Sequence, residues 1–205
     1  MHKATRAAEK MLGALLRRVA TLARQDNADA ETGLPKNHPV LEYFSKDGAT
    51  LQNYLALDDM VLWGSLPMLA SSPDNDISEL AKRLRYRSLY KCLDVGILAE
   101  SVGGDALPMF RNRLQEAFDD NRVSKVEALV DGQTISPYKY YDYEDSGALE
   151  KIMIEHSDSS RRPIDLAEDS PMVKALGEER IYRVYGRDKE TMRKLEQIWE
   201  GIKGK

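Results

Sequence analysis

Histidines and carboxylates are the residues of this sequence that could hold a metal or move a proton. The three histidines are far apart, and none forms a His-Asp step or a His-x-x-x-His pair: His2, His38 and His156. A metal site needs several converging ligands, usually including a close pair on one helix or turn. We therefore predict no metal ligands and no catalytic residues in this chain, and we expect His38 and His156 to lie in surface loops.

Motifs for phosphate binding or nucleophilic catalysis are also absent, because no Walker A, Gly-x-Gly-x-x-Gly or Gly-x-Ser-x-Gly pattern occurs. Gly103-Gly104 could cradle a phosphate with free amides, but an ordinary loop before a helix explains this doublet as well. Asp58-Asp59 could be a carboxylate pair for acid–base chemistry. A helix N-terminus is favoured instead, since carboxylates there accept from free backbone amides.

The basic cluster between residues 82 and 91 carries more information. Arg87, Leu89 and Lys91 alternate, so they would project from one face of an extended segment. Two cations that flank an apolar residue could hold a triphosphate and touch its base or sugar. The alternative is structural: cations are favourable at a helix C-terminus and could pair with acids such as Asp94.

Composition limits the classes of function. A net charge of −4 argues against broad nucleic-acid binding. A single cysteine, Cys92, excludes an intrachain disulfide and is typical of a reducing cytoplasm, where we expect the protein to be. No apolar run approaches 18 residues, so we expect no membrane span.

The elements that must position these residues are helical at first. Residues 3–25 place Met11, Leu15 and Val19 on one apolar face. The stretch 26–39 reads as a loop. Three helices follow, with expected caps at Thr50, Asp58 and Asp76, the last in a capping-box pair with Glu79. Trp63 and Trp199 fall in apolar helical stripes, which favours packing in a core or an interface.

Strands and helices alternate in the second half. Strands are expected over 89–95, 123–130, 152–154 and 181–185, with a turn at Asp131-Gly132 after the second of them. Helices are expected over 107–118 and from Thr191, and a short helix is expected with its cap at Asp169 or Ser170. The fold class is therefore α+β, with a helical region over 1–88 and a smaller α+β subdomain over 89–205 that holds a short mixed or antiparallel sheet.

Four segments together resemble the HD superfamily of dNTP triphosphohydrolase-like proteins. They match, in order, the long helix after that family's metal-binding core, its Asp-Asp helix, its Arg-x-Leu-aromatic-Lys segment and a late strand: residues 2–12 (HKATRAAEKML), 57–59 (LDD), 86–91 (YRSLYK) and 181–185 (IYRVY). The likeness is good over 1–95, faint over 96–150 and patchy to about 188.

The resemblance implies a nucleotide phosphohydrolase whose divalent metal is held by an upstream His…His-Asp…Asp set. The sequence begins just after the place where that set should end, so we expect a regulatory and assembly part that is inactive alone. The resemblance also implies contacts to an activating nucleotide such as dGTP or dATP at subunit contacts, by His2, Lys3, Arg87, Leu89 and Lys91.

Association is the remaining expectation. Helix 3–25 and the helix from Asp58 would pack on a catalytic core, so their apolar stripes should stay partly uncovered and drive formation of a homo-oligomer. The alternative function is a stand-alone protein-interaction module that binds no nucleotide. The cations Arg87 and Lys91 are the sequence feature that separates the two hypotheses.

Overall fold

The computed structural model describes residues 2–135, 152–155, 163–175 and 179–203. The described chain forms two compact units, and both are built from helices and small sheets. The first unit runs to Asp131 and resumes at Arg183, and the second lies between Gly132 and Tyr182. The predicted α+β class, with a helical N-terminal half and a short antiparallel sheet, is confirmed. The division at residue 88 stays a prediction.

The first unit begins with six helices. They are α1 (Lys3–Leu22), α2 (Ala28–Thr32), α3 (Pro39–Phe44), α4 (Leu51–Leu55), α5 (Asp59–Leu69) and α6 (Asn75–Arg85). The helix predicted over 3–25 is α1, but the stretch predicted as a loop over 26–39 contains α2. Among the helices described, none combines the length and apolar character that a membrane crossing requires.

The apolar stripe of α1 forms the centre of the first unit's core. Met11, Leu15 and Val19 are fully buried, and α1 packs along α6 through Ile77 and Leu80. Burial of such side chains stabilises the fold by about 1.5–3 kcal/mol each. The expectation that the stripe of α1 stays partly uncovered is therefore wrong: α6 and the rest of the core cover it.

Side-chain caps define where the helices begin. Thr50 and Asp58 accept backbone N–H groups of Asn53 and Val61, so both predicted caps are confirmed. The cap of α6 is Asp74 and not Asp76, because Asp74 accepts from the N–H of Ile77 at 3.0 Å. The carboxylate of Asp74 also holds the guanidinium of Arg18 at 2.6 Å, and this tertiary contact is invisible in the local sequence.

The sheet of three strands has the order β1-β5-β2, with β1 (Lys91–Asp94), β2 (Ala128–Ile135) and β5 (Glu179–Gly186). β1 pairs antiparallel with β5, and Lys91 lies opposite Gly186 while Asp94 lies opposite Arg183. The strand expected over 89–95 is shorter than predicted. Val95 already begins helix α7 (Val95–Val102), which includes Gly96.

β2 differs most from the sequence prediction. The strand expected over 123–130 begins at Ala128, and it continues through Asp131-Gly132, where a turn was predicted. The side chain of Asp131 is fully buried and forms ion pairs with Arg6 and Lys10 of α1. These two cations neutralise the buried carboxylate. An Asp-Gly step can therefore lie inside a strand here and need not form a turn.

Two further helices complete the first unit. α8 (Ala106–Asp119) and α11 (Lys189–Lys203) pack on each other, and the rings of Phe110 and Trp199 lie 6.1 Å apart. In the second unit, β3 (Met153–Ile154) pairs antiparallel with β4 (Ile164–Asp165), followed by α9 (Leu166–Asp169) and α10 (Pro171–Ala175). Ser170, one of the two predicted caps, accepts from the N–H of Val173 at the start of α10.

Candidate anion-binding groove

The end of α6 positions the first cation of the site. The N–H of Ser88 donates to the carbonyl of Arg83 at 2.9 Å, and the N–H of Arg87 donates to that of Leu84 at 3.3 Å. This pair of bonds is a Schellman motif, whose C′ residue adopts a left-handed conformation and is usually glycine. Arg87 takes that place with φ 55°, which costs about 1–2 kcal/mol for a residue with a Cβ.

The extended segment expected from Arg87 to Lys91 is therefore only partly present. Lys91 is the first residue of β1, whereas Arg87 lies in the turn after α6. The prediction that Arg87 and Lys91 project from one face of an extended segment is wrong in its geometry. The turn nevertheless brings the two side chains to the same groove.

All five residues that the resemblance assigns to an effector line one groove of about 730 Å³: His2, Lys3, Arg87, Leu89 and Lys91. They come from the start of α1 and from the α6–β1 connection, nearly 90 positions apart in the sequence. We call this space the effector groove. Sequence reasoning missed four further lining residues, Ala4, Tyr90, Cys92 and Arg183.

The cations of the effector groove fall into two groups. Asp94 accepts from Arg183 at 2.8 Å and lies 3.5 Å from the ammonium of Lys3, so these two are held in place. Burial opposes the charge on Arg183, but the hydrogen bond and charge of Asp94 outweigh it and raise the pKa of Arg183. Within the described residues, neither Arg87 nor Lys91 has an ion pair. The alternative in which these two cations pair with Asp94 is not observed in the described chain, because Asp94 pairs with Lys3 and Arg183.

His2 lines the groove and caps α1. Its Nδ1 accepts the N–H of Ala4 at 3.2 Å, which leaves Nε2 to carry the ring proton and to donate outward. Burial raises the pKa of the Cys92 thiol, and the nearby cations Lys3 and Arg183 only partly offset this effect, so the reactive thiolate is disfavoured. The cations of the effector groove are therefore suited to binding an anion.

A second basic groove of about 490 Å³ is also lined by Arg87, Leu89 and Lys91. It adds cations from the β5–α11 connection and from α11, Arg187, Lys189 and Arg193. Arg187 is committed to Glu127 at 2.5 Å, whereas Lys189 and Arg193 are exposed. Two grooves with positive walls thus share one cationic segment.

The other candidate residues have structural settings. His38 caps α3 by accepting the N–H of Val40, and burial lowers its pKa. Asp58 is a helix cap, as favoured over the carboxylate-pair hypothesis, while Gly103 and Gly104 both take positive φ at the end of α7. His156 lies outside the described residues. Within those residues, no group of three His, Cys, Asp or Glu side chains could hold a metal ion.

Comparison with known proteins gives a fold and no family. No protein family matches the sequence, and no curated protein matches it. Among solved structures, a phosphohydrolase from Bacteroides thetaiotaomicron VPI-5482 is similar with a TM-score of 0.56 and 22% sequence identity. The similarity covers 92% of this chain and 46% of that one, so this chain spans about half the length of the phosphohydrolase. The fold of this chain is therefore similar to that of about half of this phosphohydrolase.

Proposed function

We propose that this chain is the effector-binding and assembly part of an HD-superfamily nucleotide phosphohydrolase, with dGTP or dATP as the effector. The observation that carries the proposal is the effector groove itself. His2 and Lys3 meet Arg87, Leu89 and Lys91 there, although the two segments are distant in sequence. Five residues that the resemblance groups by role thus share one surface.

The charges of the groove suit a nucleoside triphosphate. Arg87 and Lys91, exposed and without ion-pair partners in the described chain, would donate to phosphate oxygens, each contact contributing about 1.5–3 kcal/mol when well formed. Leu89, half-buried between them, offers an apolar contact to base or sugar. Keeping Arg87 in a strained backbone conformation is consistent with a binding role for its side chain.

The described residues do not fit a catalytic metal, so we derive no hydrolytic step for them. A separate His-Asp core outside this chain would hold the divalent metal. Purified chain should accordingly release no phosphate, pyrophosphate or triphosphate from dNTPs with added Mg²⁺ or Mn²⁺. Metal-dependent turnover that survives repurification would contradict this division of roles.

Ligand titration tests the effector site. Addition of dGTP or dATP should raise the melting temperature and shift amide resonances near Arg87, with a dissociation constant of roughly millimolar because only part of the site is present. The Arg87→Ala, Lys91→Ala double variant should bind dGTP or dATP with a dissociation constant about tenfold higher or more. The Arg24→Ala, Lys46→Ala variant removes two exposed cations elsewhere and should respond like the wild type. Equal responses from all three proteins would refute the assignment.

The second candidate is a protein-interaction module that binds no nucleotide. It is favoured by the exposed apolar side chains of α4 and α5, which include Leu55 and Met60. This candidate predicts association that is independent of nucleotide and no response to dNTPs. The titration therefore separates the two candidates.

A further inference from the structure

The second basic groove has no role in the proposed function, although it holds the denser group of cations. Six positive side chains line it: Arg83, Arg87, Lys91, Arg187, Lys189 and Arg193. They come from α6, from the α6–β1 connection, from the β5–α11 connection and from α11. The carboxylates in the lining are those of Asp188 and Glu196. The groove is therefore strongly positive in a chain whose net charge is −4.

Two arginines of this groove are held in place by the fold. Arg83 donates from Nε to Glu79 at 2.6 Å, and its guanidinium lies 5.6 Å from the ring centre of Tyr90. Arg187 donates to Glu127 at 2.5 Å. Side chains that are already ordered lose little conformational freedom when a ligand binds. Arg83 and Arg187 thus form a preorganised wall.

The other four cations are exposed: Arg87, Lys91, Lys189 and Arg193. Within the parts of the chain that the structure describes, none of the four has an ion-pair partner. Asp188 does not neutralise them, because it accepts the N–H of Thr191 at 2.8 Å and lies 3.2 Å from Nε of Arg187. Like charges gathered in one groove repel each other. An anion bound there would relieve this repulsion and meet four unengaged donors.

The lining of the groove restricts the kind of anion. Small-molecule pockets of about 300–1,000 Å³ are mostly apolar, whereas the apolar residues in this groove of about 490 Å³ are Leu89 and Met192. No aromatic ring of the described chain lines it, so a nucleobase would have no ring to stack on. The effector groove is larger and adds Ala4, Tyr90 and Cys92 beside Leu89. The second basic groove therefore suits an anion without an apolar part.

The distribution of the cations favours an elongated anion. Arg87 and Lys91 flank the α6–β1 connection, whereas Lys189 and Arg193 lie in the first two turns of α11. A single phosphate would leave some of these donors unused, but two or three linked phosphates can accept from both segments at once. The net charge of −4 disfavours a long polyanion such as nucleic acid, because the surrounding surface would repel it.

We propose that the second basic groove binds a free oligophosphate, such as inorganic pyrophosphate or triphosphate, as a site separate from the effector groove. Arg87 and Lys91 line both grooves, so their replacement cannot separate the two sites. Lys189 and Arg193 line the second basic groove and not the effector groove. These two residues therefore distinguish the oligophosphate site.

Calorimetric titration of the whole chain with inorganic triphosphate, in a buffer without phosphate or metal ions, is the first test. The wild type should bind with a dissociation constant of roughly 100 µM or below. The Lys189→Ala, Arg193→Ala double variant should raise that constant about tenfold or more, because two of the four unengaged donors are lost. The control is Arg24→Ala, Lys46→Ala, which removes the same charge at exposed positions outside the groove. It should leave the constant nearly unchanged, and circular dichroism melts should show both variants folded.

The length of the anion is the second variable. Pyrophosphate should bind within severalfold of triphosphate, because it can still accept from both segments. Inorganic phosphate should bind about ten times more weakly or worse than triphosphate, since it engages fewer donors at once. Amide resonances of Ser88 and Lys189 should shift during the triphosphate titration.

Titration with dGTP separates a free oligophosphate from the phosphate tail of a nucleotide. The Lys189→Ala, Arg193→Ala variant should keep the wild-type response to dGTP, because neither residue lines the effector groove. If the variant lost affinity for dGTP and for triphosphate alike, the groove would hold a nucleotide and the proposal would be overturned.

Three other results would also overturn it. They are a wild type that binds no triphosphate at about 1 mM, equal effects of the two double variants, and phosphate binding as tight as that of triphosphate. A chain that binds triphosphate in this groove but does not respond to dGTP would refute the effector assignment alone. The two proposals can therefore fail separately.

Discussion

Replacing Asp131 with asparagine keeps the size of the side chain and removes the negative charge on which two cations of α1 depend. The carboxylate is fully buried and accepts from Nε of Arg6 at 2.8 Å, while the ammonium of Lys10 lies 3.1 Å away. An asparagine cannot neutralise the guanidinium, whose side chain is only 13% exposed. We therefore expect a large loss of stability.

The magnitude follows from the burial of both partners. Removing one member of a buried ion pair usually costs about 3–5 kcal/mol. Arg6 retains Glu9 at 2.5 Å, and Lys10 is exposed enough to turn toward solvent, so the lower end applies. A loss of about 3 kcal/mol corresponds to a fall in melting temperature of about 6–12 °C for a chain of this size.

Urea denaturation followed by circular dichroism measures this loss. Asp120→Asn is the control, because the ion pair of Asp120 with Arg122 is more than half exposed on both sides and such pairs contribute at most about 1 kcal/mol. If Asp131→Asn lost no more stability than Asp120→Asn, the burial argument would be refuted.

The pH dependence supplies a second check. Burial alone would raise the pKa of Asp131, but hydrogen bonds from Arg6 and Lys10 outweigh it, and the pKa is lowered. A carboxylate whose pKa is lowered on folding stabilises the folded state at pH values above its ordinary pKa of about 3.9. This stabilisation is lost as the pH falls through the lowered pKa. The difference in unfolding free energy between wild type and Asp131→Asn should therefore be constant between about pH 5 and 8 and shrink below about pH 4.

Two further substitutions test local geometry by thermal or urea denaturation. Asp74→Ala should lower the free energy of unfolding by about 2–3 kcal/mol, because it removes both the α6 cap and the partner of Arg18. Asp76→Ala should lower it by about 0.5 kcal/mol, and equal effects would contradict the assignment of the cap. Arg87→Gly should stabilise the fold by about 0.5–1 kcal/mol, because glycine adopts the left-handed backbone without strain. Arg85→Gly in the last turn of α6 should destabilise the fold by a similar amount. A loss of stability with Arg87→Gly would refute the claim that the backbone at Arg87 is strained.

Periodicity and capping chemistry made much of the helical part predictable. The recurrence of Met11, Leu15 and Val19 is a local property of an amphipathic helix and identifies the buried side of α1. Caps at Thr50 and Asp58 act within four residues, so the sequence contains both partners of each bond. The α+β class follows from such local signals added along the chain.

The candidate site was predictable as a set of residues and not as a geometry. The resemblance groups His2 and Lys3 with the Arg87–Lys91 segment, and these residues do line one groove. The alternation of Arg87, Leu89 and Lys91 predicted an extended segment, but the Schellman motif after α6 puts Arg87 in a left-handed turn. Arg183 joins the groove through pairing of β5 with β1, a contact between segments about 90 residues apart that no local pattern contains.

Composition and periodicity by themselves determined the helical first half, the mixed second half and the sides of the helices that are apolar, because these depend on interactions within a few residues. Tertiary structure alone decided the environment of each charge and each exposed side. The sequence predicts a turn at Asp131, but the residue lies inside a strand, where the cations of α1 neutralise its carboxylate. Asp74 caps α6 in place of the predicted Asp76, and its carboxylate also binds Arg18. Trp63 and Trp199 look alike in sequence, yet Trp199 is buried in the core and Trp63 is half-exposed, since burial depends on which distant helix packs against each side.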